Sequence, residues 1–288
     1  MRVVKPQVEF WGEVPTDCTG SLAWIEKAGR VCYKSEDKIS PESAVPFVTK
    51  LIRAGHLAMV EHSNFVVRAP LRDAEAYPEA INVLTNTPVG KFLTAGSDDQ
   101  YFYVGGNLTA WAKACDGGVL FSPFLNIYGA FFGLIPRAPQ VYSVCPHPEI
   151  PAELRRYTLK FICDRGVSHE LVRHRPCSFA QESTRYCNYS GDHMEFVEPW
   201  WYAETSDTAA SSVWTDAMLC AEEAYAELTG LNKSPQFARA VLPNSLKTEV
   251  VVTADSAEWR HIRSLRTEKA AHPDMQRIMN MVPWEKIV

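Results

Sequence analysis

The chain has 288 residues, 46% of them hydrophobic, with 29 basic and 34 acidic side chains and a net charge of -5. That is enough apolar material for one large core, and the slight acidity creates no overall field to gather nucleic acid or an acidic membrane, so an anionic ligand needs a local arginine cluster. Eight scattered cysteines, an N-terminus without a signal-peptide core, and a most apolar stretch (118–135) broken by Ser122, Pro123 and Asn126 predict a reducing, cytoplasmic protein with no membrane span.

Ser40-Pro41-Glu42 predicts a helix start, because the serine hydroxyl can cap free N–H groups and proline at the first helical position loses nothing. That helix is expected to run to about Gly55, with Ala44, Phe47, Val48, Leu51 and Ile52 on one apolar face and His56 just past its end. Residues 64–68 read as extended, and Tyr157, Leu159, Phe161 and Cys163 alternate as one face of a half-buried strand, so the two are expected in one sheet. The intervening 69–153 region is rich in proline and glycine, with helix-like pieces such as 110–115. It reads as an insertion with some structure of its own in a single catalytic domain spanning 1–288.

A short helical pattern from Val167 runs into Pro176, which pushes Arg175 out of helical geometry. A long helix is predicted over 207–231, a short one from Ser234-Pro235 that ends before Pro243, and a strand over 247–253. Asp255-Ser256-Ala257-Glu258 is similar to a capping box, with aspartate in the usual serine or threonine place, at the head of a helix towards Arg266. Pro273 opens the last helix.

Chemistry concentrates at Arg173-His174-Arg175. Two guanidinium forks around a histidine suit phosphate and carbonyl oxygens, although alone they read more readily as a solvated basic turn. The continuation Gln181-Glu182-Ser183-Thr184-Arg185-Tyr186 is dense in hydrogen-bonding groups and adds a third arginine. Together the two segments resemble the signature of the flavin-dependent thymidylate synthases: Arg-His-Arg, seven residues of any kind (here Pro176 through Glu182), then serine (Ser183). The likeness continues in Gly55-His56 with Glu61-His62, in Arg30-Val31-Cys32-Tyr33 (where the family often has serine at the Cys32 place), in Ala238-Arg239-Ala240-Val241-Leu242-Pro243, and in Leu265-Arg266. It covers roughly residues 25–68 and 157–280.

An α+β fold is expected, built on a twisted, largely antiparallel sheet flanked by helices. The resemblance implies a homotetramer with shared active sites. It also implies methylation of deoxyuridine monophosphate (dUMP) at C5 to give thymidine monophosphate (dTMP), with 5,10-methylenetetrahydrofolate, FAD and NADPH. By carry-over, Arg173, His174, Arg175, Glu61, Asp255 and His261 hold the flavin, and Glu170, Arg173, Gln181, Ser183, Arg185, Arg239 and Arg266 hold the nucleotide. Arg266, Ser183 and His56 are the implied catalytic residues, with Arg266 polarising the pyrimidine so that N3 ionises. Asp255 and Ala257 depart from the family's usual asparagine and arginine, and a carboxylate in place of an amide with one cation fewer would weaken an anionic dinucleotide.

Three other readings compete. His147-Pro148-Glu149 with Pro176-Cys177 is similar to a zinc deaminase pattern, but Ala180 stands where the second cysteine would ligate, and no metal is expected. Cys177 beside arginines could be a nucleophile with a depressed thiol pKa. A nucleotide-binding homologue that has lost flavin chemistry is the third. The functional arginines, spread from Arg173 to Arg266, show no acidic partner nearby in sequence, which a site shared between subunits would explain.

Overall fold

The computed structural model describes residues 1–71, 93–116, 143–145, 149–191, 194–202 and 208–287. Its centre is an antiparallel sheet in the order β2 (Gln7–Glu13), β7 (Arg156–Asp164), β10 (Lys247–Asp255), β8 (Ser178–Gln181). β7 and β10 pair along their whole lengths, from Lys247 opposite Asp164 to Asp255 opposite Arg156. The alternation read along 157–163 holds: Tyr157, Leu159, Phe161 and Cys163 pack with Val250, Val252, Trp259, Ile262 and Met275. Ala180 and Val251 on the other face meet Ala28 and Val31 of helix α1 (Cys18–Val31) and Cys32 just after it. β10 is therefore covered on both faces, which explains its nearly unbroken Val250-Val251-Val252 run.

A second antiparallel sheet, in the order β4 (Leu93–Ser97), β5 (Tyr101–Gly106), β3 (Phe65–Pro70), β6 (Ser143–Val144), overturns one expectation. Residues 64–68 and 157–163 lie in different sheets, because both edges of β3 are taken by β5 and β6 from the intervening region. Its core joins Phe65, Val67, Leu93 and Val104 to Ile25 of α1, to Val48 and Leu51 of α2 (Ala44–Arg53), to Val60 of α3 (Leu57–Val60) and to Leu108 and Trp111 of α4 (Leu108–Asp116). The described part of 69–153 thus extends a sheet rooted in β3. The apolar stretch 118–135 and His147 fall outside the described residues. Among the described residues no helix is long and apolar enough to cross a membrane. A short parallel pair, β1 (Arg2–Val4) with β9 (Glu195–Val197), completes an α+β architecture.

The helices follow their sequence signals except at one start. α2 begins at Ala44, because the Ser40 hydroxyl donates to Glu42 and Ser40 N–H donates to Ser43 Oγ at 2.8 Å, closing a turn ahead of the helix. Gly55, at φ +71°, then ends this region in the left-handed conformation that suits glycine. α5 (Arg165–Leu171) is capped by Asp164, which accepts from Val167 N–H at 2.8 Å. α6 (Thr208–Gly230), α7 (Pro235–Ala238), α8 (Ser256–Arg266) and α9 (Pro273–Met279) lie where the patterns put them. The expected capping box at α8 is half made. Asp255 accepts from Glu258 N–H at 2.8 Å, but the Glu258 carboxylate turns instead to His174.

Candidate active site

β10 runs directly into α8, and α5 leads through the 172–177 turn into β8, so the two helices come together at the Arg173-His174-Arg175 motif. Arg266, in the last turn of α8, donates through Nε to His174 Nε2 at 3.0 Å, through Nη1 to Glu170 Oε2 at 2.8 Å and through Nη2 to the Glu170 carbonyl at 3.2 Å. His174 is buried, and its Nδ1 meets Glu258 Oε1 at 3.2 Å. The His261 ring stands edge-on to it at 5.9 Å between centroids. Five residues separated by up to 96 positions form one cluster, and four of them, Arg266, His174, His261 and Glu170, carried site expectations. Glu170, expected on the nucleotide, is the acidic partner of Arg266, in keeping with the reading that none stands near it in sequence. The partner lies a whole sheet away in sequence and meets Arg266 only through the fold.

His174, Glu258 and His261 present ligand-type atoms within 4.8 Å of one another, which is metal-ligand spacing. Yet an Arg266 N–H already occupies His174 Nε2, and its permanent charge opposes a cation beside the ring. Hydrogen bonds account for the His174–Glu258 contact.

The segment after β8 forms a second group. Gln181 donates to Ser168 Oγ at 2.9 Å and Thr248 Oγ1 at 3.2 Å, locking the end of the edge strand to α5 and β10. Glu182, 1% exposed, faces Lys34 Nζ at 2.9 Å and accepts from the Tyr189 hydroxyl, while Lys247 stands 3.8 Å away. Ser183 N–H donates to the Cys32 carbonyl at 3.1 Å, which ties the segment to the turn after α1. Beyond it Arg185 is exposed, donates to Gln236 Oε1 at 3.3 Å and lies 5.5 Å from the centre of the Tyr186 ring, and Arg239 is exposed just after α7. Tyr186 leans on Tyr33 at 5.3 Å, and His56 Nδ1 lies 3.3 Å from the Tyr33 hydroxyl. With Arg30, Lys38 and Lys50, these three line a cavity of about 640 Å³. Among the described residues no side-chain hydrogen bond or ion pair joins this group to the Arg266 cluster.

The remaining expected residues divide. Arg173 and Arg175 are exposed, and no side-chain partner is recorded for them among the described residues. Asp255 directs one oxygen to the α8 cap and the other towards Thr94 Oγ1 at 3.5 Å. Burial raises the Glu61 carboxyl, with Lys113 and Arg156 pulling it back. Its neighbour His62 is buried against Thr253 Oγ1 at 2.8 Å; burial and then the charge of Arg156 lower it to about 3.

Cys177 corrects another expectation. The thiol is buried and pushed well above its ordinary value, by burial first and then by Glu258, while Arg156 only partly opposes this. The neighbouring arginines that suggested a reactive thiolate are exposed, so burial governs the group. Sequence reasoning missed two residues. Glu182 looked like an unspecified spacer, and Glu258 looked like a cap; its spacing to His261, one helical turn on, was the available signal.

Residues 146–284 match the family model described as Thymidylate synthase complementing protein, a little under half of the chain. A flavin-dependent thymidylate synthase of Geobacter sulfurreducens is 36% identical over 102 residues, covering 35% of this chain and 43% of that protein, so the aligned stretch spans less than half of that relative. One from Mycolicibacterium vanbaalenii is 23% identical over 295 residues, covering 96% of this chain and 80% of its own. Among solved structures, the UMP/dUMP methylase PolB of Streptomyces cacaoi bound with 5-Br dUMP overlaps at a TM-score of 0.45 and 17% identity, covering 100% of this chain and 93% of that one.

Proposed function

We propose that this chain, a member of the flavin-dependent thymidylate synthase family by its residues 146–284, methylates dUMP at C5 to give dTMP, with FAD bound and 5,10-methylenetetrahydrofolate and NADPH consumed. The observation that carries the reading is the guanidinium of Arg266, held at the end of α8 by Glu170 and His174. A guanidinium has five N–H donors, and three are engaged here, which leaves two for a ligand. A cation oriented in advance stabilises negative charge developing on a pyrimidine without reorganising when the reaction occurs, and this favours ionisation at N3.

Ser183, Arg185 and Arg239 supply further donors for the nucleotide, and Gln181 offers its amide oxygen as an acceptor. Gln181 is fixed by Ser168 and Thr248, whereas Arg185 and Arg239 are exposed cations suited to a phosphate. Arg173 and Arg175 fit an anionic dinucleotide for the same reason, with His261 at the edge of the cluster and His56 beside Tyr33 as further contacts. Asp255 is compatible with that fit because its carboxylate already serves the α8 cap. The flavin, when bound, supplies the hydride that turns the transferred methylene into methyl. We read the two separate arginine groups as parts of a site completed by other copies of the chain in a homotetramer, with 69–153 as an elaboration of a single catalytic domain.

A second reading follows from Ala257, which brings no cation to the first turn of α8: a nucleotide-binding homologue without flavin chemistry. An absorbance titration of the purified protein with FAD, then anaerobic NADPH with and without dUMP, separates the two. Bound flavin that bleaches faster with dUMP supports the synthase. Tight dUMP binding without flavin uptake would replace it with the second reading.

A further inference from the structure

We propose that Glu258 is a positioning residue for Arg266, acting through His174; the catalytic part of this inference rests on the reading of Arg266 as the group that meets the pyrimidine. An arginine Nε only donates, so the 3.0 Å contact requires His174 Nε2 to be a bare acceptor. The ring proton therefore sits on Nδ1, from which it donates to Glu258 Oε1 at 3.2 Å. The result is a directed chain: the carboxylate of Glu258 accepts from the imidazole, and the imidazole accepts from the guanidinium.

Glu258 selects that tautomer. Without an acceptor at Nδ1 the proton can move to Nε2, where it would face the Arg266 N–H donor to donor and turn the guanidinium away. The ring is 6% exposed, so bulk water is poorly placed to substitute for the carboxylate. On its other side, among the described residues, the guanidinium is held by Glu170, through the side chain and the carbonyl. The helix cap is independent of this role, because Glu258 offers Asp255 its backbone N–H and not its side chain. Replacing the carboxylate thus leaves the start of α8 capped.

The test compares wild type, Glu258→Ala and Glu258→Gln as flavin-loaded full-length proteins, with steady-state kinetics and nitrogen-15 NMR of the histidine rings. Glu258→Ala should lower kcat about 10- to 100-fold, as expected for loss of an orienting partner, with little change in KM for dUMP. Glu258→Gln should recover most of the rate, because its amide oxygen can still accept from Nδ1–H. In the NMR, His174 should be the Nδ1–H tautomer in wild type and a mixture in Glu258→Ala. A wild-type ring protonated at Nε2, or an unchanged tautomer in Glu258→Ala, overturns the proposal. If the tautomer shifts as expected but wild type makes no dTMP, the positioning chain stands and the synthase reading falls.

Discussion

At the end of α8 the Arg266 guanidinium is engaged on three sides by His174 and Glu170, whereas in the segment after β8 Arg185 makes one hydrogen bond, to the Gln236 amide, and rests against the Tyr186 ring, and Arg239 lies exposed. The first cation is oriented by the protein before any ligand arrives. Fixing the exposed side chains of the second group on a ligand would cost about 0.5–1.5 kcal/mol for each one immobilised. Under the proposed function the contrast separates two tasks: a fixed charge for the step in which charge develops on a ring, and exposed charges for capture of a phosphate. Reading both groups simply as arginines near a motif would miss this division.

The sharpest way to break the comparison is at the fixed cation. Arg266→Ala should cut kcat about 100- to 1,000-fold, the range for losing a preorganised charge donor, while the protein still takes up flavin. Uptake is read from the visible absorbance of the purified variant. Arg266→Lys should restore little, since an ammonium cannot reach His174 and Glu170 as a fork does. A variant that no longer holds flavin would move Arg266 from the pyrimidine to the cofactor.

The next effect concerns the support beneath α8. His62 is lowered to about 3 in the folded chain against an ordinary 6.5, so below pH 6.5 the unfolded state takes up a proton that the folded state refuses. Stability should be complete above pH 6.5 and fall from there towards pH 3, by up to about 1.4 kcal/mol per pH unit. Thermal melts of wild type and His62→Gln across that window should show a flatter dependence in the variant. Parallel curves would mean that His62 is not the group responsible.

At the exposed group the expected change is smaller and of another kind. Arg239→Ala should raise KM for dUMP about tenfold, roughly 1.4 kcal/mol, with kcat nearly unchanged, because an exposed capture residue binds substrate and transition state alike. An equal fall in kcat would make Arg239 part of the fixed machinery and erase the distinction drawn here. Cys177→Ala should alter turnover least of all. A folded but inactive variant would revive a cysteine mechanism despite the burial of the thiol.

What could be read in the sequence follows a physical line between local and distant causes. The alternation along β7, the apolar run of β10 and the Asp255 start of α8 were legible, because period and capping act over a few residues. The partners of β3 were not, since they come from a glycine- and proline-rich region whose pairing depends on closing a long loop. The Ser40 start failed by a few residues because its hydroxyl found Glu42 before any helical N–H. At the site, the motif named Arg173, His174, Arg175 and Ser183, but not their different fates. Whether a side chain turns to solvent, as Arg173 does, or inward, as Cys177 does, is decided by the strand it precedes. The link from Glu258 to His174 spans 84 residues and exists only once α8 has packed. The buried charge of Glu182 is likewise balanced by Lys34 and Lys247, from opposite ends of the chain.

The contacts between the added sheet and α8 bear on how such a chain can change over generations. Thr94 reaches Asp255 at 3.5 Å, and the Ser256 hydroxyl, 1% exposed, donates to the Ala152 carbonyl at 3.1 Å. A descendant that trimmed 69–153 would leave that hydroxyl without its acceptor in the first turn of the helix that carries Arg266. Shortening would have to be accompanied by a new residue at position 256, so the second sheet and the helix that carries Arg266 would have to change together.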